Sequence, residues 1–321
     1  MSQHVSQYVR SCQDCQTKKG LRSRPAGLLS PIRSSEPFER IGIDLIGPFP
    51  LSRGGNRHVV IAVDYFTKWV IAKAVPSKET IHIVDFFVRR LVLQHGAPVY
   101  VISDRGASFK ADFAEKLFEA LQSNHLVTTA YHPQCNGLVE RFNHTFAEML
   151  SMFVNAKHSD WDDVIDHVVF AYNSSRHEST GVSPFYMLYG REPRLPIDVA
   201  RGNNPNSLSS HFDFILGLPL LREKVKRTIL MIQHRQKERY DRRHRHVSFN
   251  PGDLVWVFKP DRIKGRSEKL LHRYHGPFKI IRNISEVNYL IETIRCRRKR
   301  IECVHVSRLK TFVGRSHFLQ V

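Results

Sequence analysis

Three carboxylates give this chain its clearest candidate for chemistry. Asp44 and Asp104 each come at the end of an apolar, β-branched run, and Glu140 follows a polar, turn-rich segment at the start of an apparent helix. This placement lets the three side chains meet at one edge of a sheet. Carboxylate oxygens suit Mg²⁺ or Mn²⁺, and two such ions about 4 Å apart activate an attacking oxygen and stabilise the leaving oxygen of a phosphodiester. The pattern predicts metal-dependent phosphoryl transfer.

The spacing of these carboxylates does not by itself separate a catalytic site from an ordinary surface. In the alternative interpretation Asp44 caps a turn, Asp104 opens a loop and Glu140 forms a surface ion pair. The flanking residues favour catalysis, because a polar turn at 132–137 precedes Glu140 and Gly106 follows Asp104. A glycine there lets the backbone approach a ligand closely.

Alternating strand and helix patterns surround the carboxylates and predict a mixed α/β sheet. Short β-branched runs predict strands at 41–46, 58–64, 68–75, 99–102 and 126–130. Apolar residues at helical spacing predict helices at 79–94, 110–122, 137–156 and 160–176. We expect an irregular, partly apolar arm at 183–196 and a Gly/Asn/Ser linker at 200–210.

The last third of the chain combines a basic helix with short strands. A helical pattern runs from about 212 to 246 and becomes increasingly basic towards its end. Strand patterns follow at 254–258, 278–284, 288–294 and 301–306. Several short strands in about 60 residues are typical of a small β-barrel.

Charge is distributed unevenly over the 321 residues, whose formal net charge is +19. Residues 222–321 hold 26 Lys and Arg against 9 Asp and Glu, whereas the other residues hold 23 against 21. A near-neutral body with a basic final third favours a polyanion partner, because neutralising phosphates releases condensed counterions. A solvated basic surface is the simpler alternative.

Two charge clusters are the candidates for contacting DNA phosphates. The first contains Arg242, Arg243 and Arg245, and the second is the run Arg297, Arg298, Lys299 and Arg300. Nearby aromatic residues, Trp256 among them, are more often barrel core than a stacking surface. The clusters also match nuclear-localisation signals. We find no sequence-specific reader, so we expect DNA binding to be largely insensitive to sequence.

The five cysteines form no dense, even framework, which favours a reducing compartment. The sequence contains neither an 18-residue apolar run nor an apolar signal core, so we expect cytosol or nucleus. Cys12 and Cys15 have the spacing of two zinc ligands, but only His4 lies nearby. Two ordinary thiols at a short helix end are an equally good interpretation.

Several motifs in chain order resemble those of gypsy-type LTR-retrotransposon integrases. The motifs around the carboxylates are DLIGP at 44–48, ISDRGASF at 102–109 and YHPQCNGLVER at 131–141. Those that follow are STGVSPF at 179–185, LYGREP at 188–193, PGDLVWV at 251–257, GPF at 276–278 and VHVSRLK at 304–310. The similarity covers nearly the whole chain.

This resemblance implies an RNase H-like core in which Asp44, Asp104 and Glu140 bind two Mg²⁺ or Mn²⁺ ions. It implies two reactions at one site: water trims the 3′ end of element DNA, and the new 3′ hydroxyl attacks target DNA. It also implies self-association on DNA ends. From the basic clusters we expect a nuclear location, with a cytoplasmic phase. The resemblance places His132, Gln134 and Asn136 on a flexible loop beside the site. By their position one helical turn from Glu140, Asn143 and His144 face either substrate DNA or solvent, and the two interpretations are equally good.

The resemblance and the composition together predict the fold class and domain order. We expect an α/β, RNase H-like mixed-sheet core, a helical linker and a small SH3-like β-barrel. The expected divisions are a remnant of a zinc-binding module at 1–20, a linker at 21–37, the catalytic core at 38–198, a linker and basic helix at 199–247, a DNA-binding barrel at 248–312 and a tail at 313–321.

The chain departs from the family pattern at two places. Family members carry a His pair upstream of the Cys pair, and this chain begins after that position, so Cys12 and Cys15 are expected to be a remnant rather than a complete zinc site. Cys135 stands where threonine is usual and Leu138 where glutamine is common. An integrase relic that only binds DNA is therefore the competing hypothesis, and an RNase H-type nuclease is a third.

Overall fold

The structure is a computed structural model that describes most of the chain. The described residues are 3–20, 23–104, 106, 108–109, 112–127, 137–202, 211–259, 265, 267, 270–294 and 299–314. These residues form two units, one made of residues 31–234 and the other of residues 1–30 with 235–321. Within the described ranges, no helix combines the length and apolar character needed to cross a membrane.

A five-stranded mixed sheet forms the centre of the unit 31–234. Its strands are β1 (Arg40–Ile46), β2 (His58–Asp64), β3 (Val70–Val75), β4 (Tyr100–Ser103) and β5 (Asn124–Val127). They lie in the order β3-β2-β1-β4-β5. β1, β2 and β3 pair antiparallel, whereas β4 runs parallel to β1 and β5 parallel to β4. β-branched residues dominate the central strands because they pack well on a pleated surface.

Both faces of this sheet are covered by helices. The helices are α3 (Thr80–Phe86), which continues as a π-helix (Phe87–Val92) and a last turn α4 (Leu93–His95), then α5 (Asp112–Ala120), α6 (Gly137–Ser151), α7 (Trp161–Ser174), α8 (Pro184–Tyr189) and α9 (Pro196–Ala200). Val60 and Ala62 of β2 pack with the α3 and α5 side. Val59 and Ile61 pack with α6 and α7 on the other side. Alternate residues of β2 therefore fill two separate cores.

The long helix α10 (His211–Asp241) gives its residues 211–234 to this unit. Val225 and Ile229 on one side of α10 are buried in a small core with Phe66 and Met187. Arg222 Nη2 also donates a hydrogen bond to the Leu188 carbonyl at 3.3 Å. One face of the helix is thus fixed to the body of the unit.

A second five-stranded sheet organises the other unit. Its strands are β6 (Leu254–Phe258), β7 (Tyr274–Asn283), β8 (Asn288–Thr293), β9 (Ile301–His305) and β10 (Leu309–Thr311). All neighbours are antiparallel, in the order β10-β6-β7-β8-β9. Val255, Val257, Ile280 and Ile291 are among the buried residues of its core.

Two N-terminal helices, α1 (Gln3–Ser11) and α2 (Gln13–Lys18), belong to the same unit as this sheet. Gln16 of α2 is buried and its Oε1 accepts hydrogen bonds from Trp256 Nε1 at 2.9 Å and from the Val313 amide at 3.0 Å. Its Nε2 donates to the Val313 carbonyl at 3.0 Å. The segment predicted as a remnant of a zinc module is therefore attached to the barrel unit by the buried Gln16 amide, and Lys310 Nζ also donates to the Gln16 and Lys19 carbonyls.

The predicted fold class is confirmed, with local differences. The mixed five-stranded sheet, the helices and the C-terminal antiparallel sheet are all present. The arm expected to be irregular contains α8, which Ser183 caps by accepting the Tyr186 amide at 2.9 Å and which Pro184 opens. The short strand β10 was not predicted. The linker predicted at 200–210 lies mostly outside the described residues, which resume at 211.

Candidate active site

Asp44 and Asp104 lie at the same edge of the sheet because their strands are parallel neighbours. The pairing of β1 with β4 joins Ile41 to Val101 and Gly42 to Ile102. Asp44 and Asp104 each follow by two residues the last of these pairs, so the chain direction brings both carboxylates to the carboxyl end of β4. The sequence prediction that the two aspartates share one edge agrees with this register.

The Asp44 carboxylate is held by two hydrogen bonds. Its Oδ1 accepts from the Leu45 amide at 2.8 Å, and its Oδ2 accepts from Asn143 Nδ2 at 2.7 Å. Asn143 stands on α6, whose apolar residues Val139 and Phe142 are buried against the sheet. Glu140 lies three residues before Asn143, so both project from the same side of α6. The contact between Asn143 and Asp44 therefore places Glu140 at the edge that carries both aspartates.

Charge accumulates at this edge. Burial raises the pKa of the Asp44 carboxyl, and the neighbouring charges of Asp104 and Glu140 raise that pKa further. The hydrogen bonds from Leu45 and Asn143 act in the opposite direction, since they stabilise the ionised carboxylate. Asp104 and Glu140 themselves are exposed. The charges of Asp104 and Glu140 therefore both act on Asp44.

A glycine fixes the position of the Asp104 side chain. The Gly106 amide donates a hydrogen bond to Asp104 Oδ1 at 2.8 Å. A Cβ atom at residue 106 would stand 2.9 Å from the same oxygen. Glycine at 106 therefore permits the backbone approach that holds the carboxylate.

The donor set at this edge fits a divalent cation by its chemistry. Three carboxylates are hard oxygen ligands of the kind that Mg²⁺ and Mn²⁺ prefer. The side-chain oxygen Oδ1 of Asn143 is buried and has no hydrogen-bond partner among the described residues. Across those residues, however, no group of three His, Cys, Asp or Glu side chains is arranged to hold a metal ion. The carboxylates are thus gathered at one edge but not drawn together as ligands of one ion.

The residues predicted to face DNA near this edge have different surroundings. Asn143 is turned towards Asp44, a contact that spacing on the helix did not reveal. His144 is exposed, and its Nδ1 lies 3.5 Å from Glu148 Oε2. His132, Gln134 and Asn136, together with Cys135, lie outside the described residues.

The basic residues predicted to contact phosphates fall in the unit that holds the barrel sheet. Arg242 and Arg243, just after α10, are exposed, and Arg245 is half-buried with its Nε donating to the Arg24 carbonyl at 3.1 Å. Lys299 and Arg300 are exposed beside β9, with Lys299 Nζ 3.7 Å from Glu292 Oε2. Arg297 and Arg298 are not among the described residues.

The two N-terminal cysteines lie close together around the start of α2. Hydrogen bonds from the Cys15 backbone and side chain lower the pKa of the Cys12 thiol. Within the described part of the chain they form no larger group of metal-binding side chains.

One buried cluster beside α6 was not singled out from the sequence. Asp64 is fully buried and accepts hydrogen bonds from the Phe38 amide and from the amide and hydroxyl of Thr67. Burial lowers the pKa of the neighbouring Lys68 to about 8. Burial also lowers the pKa of His177 to about 4, and the charges of Lys68 and Arg141 contribute. In the sequence, the short spacing from Asp64 to Lys68 between two strands could have indicated this cluster. The same spacing is also typical of an ordinary turn.

Comparison with known proteins identifies relatives over nearly the whole chain. A retrovirus-related Pol polyprotein from transposon 412 of Drosophila melanogaster is 25% identical over 319 residues, which is 97% of this chain and 25% of that polyprotein. The transposon Tf2-3 polyprotein of Schizosaccharomyces pombe is 27% identical over 300 residues, 90% of this chain and 22% of the polyprotein. The chain thus spans about a quarter of the length of these relatives.

The barrel sheet and the overall fold also have known counterparts. Residues 252–313 match the family model described as Tf2-1-like, SH3 domain. Among solved structures, a chain of the simian T-cell lymphotropic virus intasome in complex with PP2A regulatory subunit B56 gamma aligns with a TM-score of 0.59. The alignment covers 96% of this chain and 90% of that chain at 14% sequence identity. At this identity the likeness shows a shared fold.

Proposed function

We propose that this chain, a relative of gypsy-type LTR-retrotransposon integrases, is a metal-dependent polynucleotidyl transferase acting on DNA. The transposon polyproteins and the Tf2-1-like SH3 match confirm the resemblance that the motifs predicted. The proposed reactions are the trimming of element DNA at its 3′ end and the joining of that end to target DNA. The observation that carries this proposal is the parallel pairing of β1 with β4, together with the Asn143–Asp44 hydrogen bond, which gathers three carboxylates at one edge.

In this proposal Asp44, Asp104 and Glu140 hold the divalent cations. When bound, two Mg²⁺ or Mn²⁺ ions supply activation of the attacking oxygen and stabilisation of the leaving oxygen. The three carboxylates repel one another, and cations at this edge would relieve that repulsion. The pKa of Asp44 is raised first by burial, and the charges of Asp104 and Glu140 raise it further, which agrees with such crowding.

The other residues of the edge act by positioning. Asn143 Nδ2 restrains one oxygen of Asp44, and the Leu45 amide restrains the other. The Gly106 amide restrains Asp104. A restrained carboxylate loses less conformational freedom when it binds its ligand, so these contacts prepare the edge for catalysis.

The basic residues supply DNA affinity in the same proposal. Exposed Arg242, Arg243, Lys299 and Arg300 are available to neutralise phosphates, which releases condensed counterions and favours binding to any sequence. DNA of the element ends and of the target is the proposed partner, and several copies of the chain are proposed to assemble on it. Because the basic clusters also match nuclear-localisation signals, we propose a nuclear location.

A joining assay tests the proposal. The chain is incubated with a labelled short duplex that has a recessed 3′ end, a supercoiled plasmid target, and Mg²⁺ or Mn²⁺. We expect labelled plasmid to form with either ion, to vanish with EDTA, and to vanish in Asp104→Asn while DNA affinity is retained. Asp163→Asn, which removes an exposed carboxylate of α7, is the matched control and is expected to join DNA normally. Wild-type chain that binds DNA without joining it would favour the relic hypothesis instead.

A further inference from the structure

The solvent-facing side of α10 in the unit 31–234 carries an unusual number of exposed apolar side chains. Leu216 is 60% exposed, Leu220 77%, Leu230 41% and Met231 49%. The opposite side of the helix is buried through Val225 and Ile229. Apolar residues normally lie on the buried face of a surface helix, so packing among the described residues of the unit does not account for this second apolar face.

Three of these leucines fall on a heptad pattern together with exposed polar residues. Leu216, Leu220, Glu223, Arg227, Leu230 and His234 recur at alternating spacings of four and three residues. This is the spacing of the a and d positions through which two helices pack in a coiled coil. An open depression of about 380 Å³ lies along the middle of the face, lined by Leu220, Glu223, Lys224, Arg227, Thr228 and Met231. We call this set of heptad residues the α10 stripe.

The α10 stripe is complementary to itself when two copies lie antiparallel. A twofold axis beside residue 225 sets Glu223 of one copy opposite Arg227 of the other, and Leu220 opposite Leu230. The next layer sets Leu216 opposite His234. In an isologous interface each such pair occurs twice, so two leucine pairs and two opposite-charge pairs form together. A parallel arrangement would set Glu223 against Glu223 and Arg227 against Arg227.

We propose that the α10 stripe is a self-association surface, on which α10 of a second copy of this chain packs antiparallel. Burial of the leucines supplies the affinity, and the Glu223–Arg227 pairs fix direction and register. Within one copy Arg227 Nε lies 3.1 Å from Glu223 Oε1, so the two charges already stand side by side on the face. Lys224 is exposed beside the stripe, where a lysine can cover apolar surface with its stem while its ammonium group stays in water. The α10 stripe contains none of the three candidate carboxylates.

Sedimentation equilibrium of the full chain without DNA tests the proposal. We expect wild type to self-associate and Leu220→Glu to raise the dissociation constant about tenfold or more, as loss of a central apolar contact does. Met152→Glu changes an equally exposed residue, 76% exposed in the turn after α6, and is expected to leave the constant unchanged. Because Leu220 is exposed, its replacement leaves the folded unit intact, which circular dichroism checks.

Charge exchange tests the antiparallel register. Glu223→Arg and Arg227→Glu each place like charges opposite one another, so each variant alone is expected to associate about tenfold more weakly. An equimolar mixture of the two variants restores opposite charges in both layers. The double variant that carries Glu223→Arg and Arg227→Glu in the same chain restores them between two identical copies. We expect both to regain wild-type association. The proposal is overturned if wild type is monomeric, if Leu220→Glu keeps the wild-type constant and stoichiometry, or if mixing restores nothing.

Discussion

Asn143 Nδ2 donates a hydrogen bond of 2.7 Å to Asp44 Oδ2, and this contact joins helix α6 to strand β1 at the candidate active site. It links a residue that the sequence suggested for DNA contact to a residue suggested for metal binding. Because Glu140 lies one helical turn away, the same bond determines where the third carboxylate stands. Asn143 therefore has a positioning role in the proposed chemistry.

The first prediction concerns this positioning role. Asn143→Ala removes the donor and frees Asp44 Oδ2, so the DNA-joining rate is expected to fall about 10- to 100-fold, the range found for partners that orient metal ligands. DNA affinity should change little. Ser151→Ala, at an exposed position at the far end of α6, is the control. If Asn143 instead serves DNA binding, the variant will lose affinity and joining in parallel.

The second prediction uses the pKa of Asp44, which burial raises most and the charges of Asp104 and Glu140 raise further. The native pKa of Asp44 is raised above its ordinary value of 3.8. The folded state therefore binds this proton more strongly, and stability falls as pH rises from the unfolded pKa through the folded pKa. In EDTA at pH 7, Asp44→Asn is expected to have a higher Tm than wild type. Near pH 3 the difference in Tm between variant and wild type should be smaller.

The same prediction extends to the change in Tm when metal is added. Mg²⁺ or Mn²⁺ that binds only the native state should raise the Tm of wild type. It should raise the Tm of Asp44→Asn by less, because one ligand is absent. Equal Tm increases in both proteins would contradict the assignment of Asp44 as a ligand.

The third prediction concerns His177, whose pKa burial lowers to about 4. Its Nδ1 accepts the Ser179 amide at 3.1 Å, a role that needs the neutral ring. The unfolded chain takes up the proton near its ordinary pKa of 6.5 and the folded chain does not, so the free energy of unfolding falls as pH drops from 6.5 to 4. The loss is on the order of 2 kcal/mol after allowance for partial exposure. His177→Asn keeps an acceptor without titrating, so its free energy of unfolding should depend less on pH. Denaturant titrations at several pH values measure this energy, and a variant with the wild-type pH dependence would contradict the prediction.

The fourth prediction concerns the edge strand β3. Asn173 is buried; its Oδ1 accepts the Val70 amide and its Nδ2 donates to the Val70 carbonyl, both at 2.9 Å. Asn173→Leu leaves both backbone groups without these partners and is expected to lower the free energy of unfolding by about 2–4 kcal/mol. Urea unfolding measures the change. Asn155→Leu, which removes loop hydrogen bonds away from this sheet edge, should destabilise the chain less.

The fifth prediction concerns the basic residues that follow α10. Arg242 and Arg243 are exposed, so replacing both by glutamine removes two proposed phosphate contacts. The slope of log K against log salt should then become shallower by about 2. Arg89→Gln, at a residue 74% exposed on the π-helix of the other unit, serves as control. An unchanged slope would place the DNA contacts elsewhere.

Much of the fold follows from local pattern. The run that carries Asp44 and the run that ends just before Asp104 are rich in β-branched residues, and the structure assigns both runs to the sheet. Residues 184–189 were predicted to be irregular although Ser183 and Pro184 provide a cap and a first helical residue and Gly190 closes the turn in the left-handed region. A helix of only 6 residues shows too little apolar periodicity to be recognised from its sequence.

Long-range contacts were beyond the sequence pattern. The bond from Asn143 to Asp44 spans 99 residues, and that from Trp256 to Gln16 spans 240. Single-sequence periodicity carries no information about which polar side chains meet in a folded core. For this reason the carboxylates were identified from their motifs, whereas the group that restrains Asp44 required the structure.

The most direct test of a single catalytic centre is the joining rate of the three carboxylate variants, singly and combined. Asp44→Asn, Asp104→Asn and Glu140→Gln are each expected to reduce joining to background with DNA affinity retained. Residues that act as one unit are non-additive, so the triple variant should be no worse than any single one. A single variant that joins DNA at the wild-type rate would contradict the account.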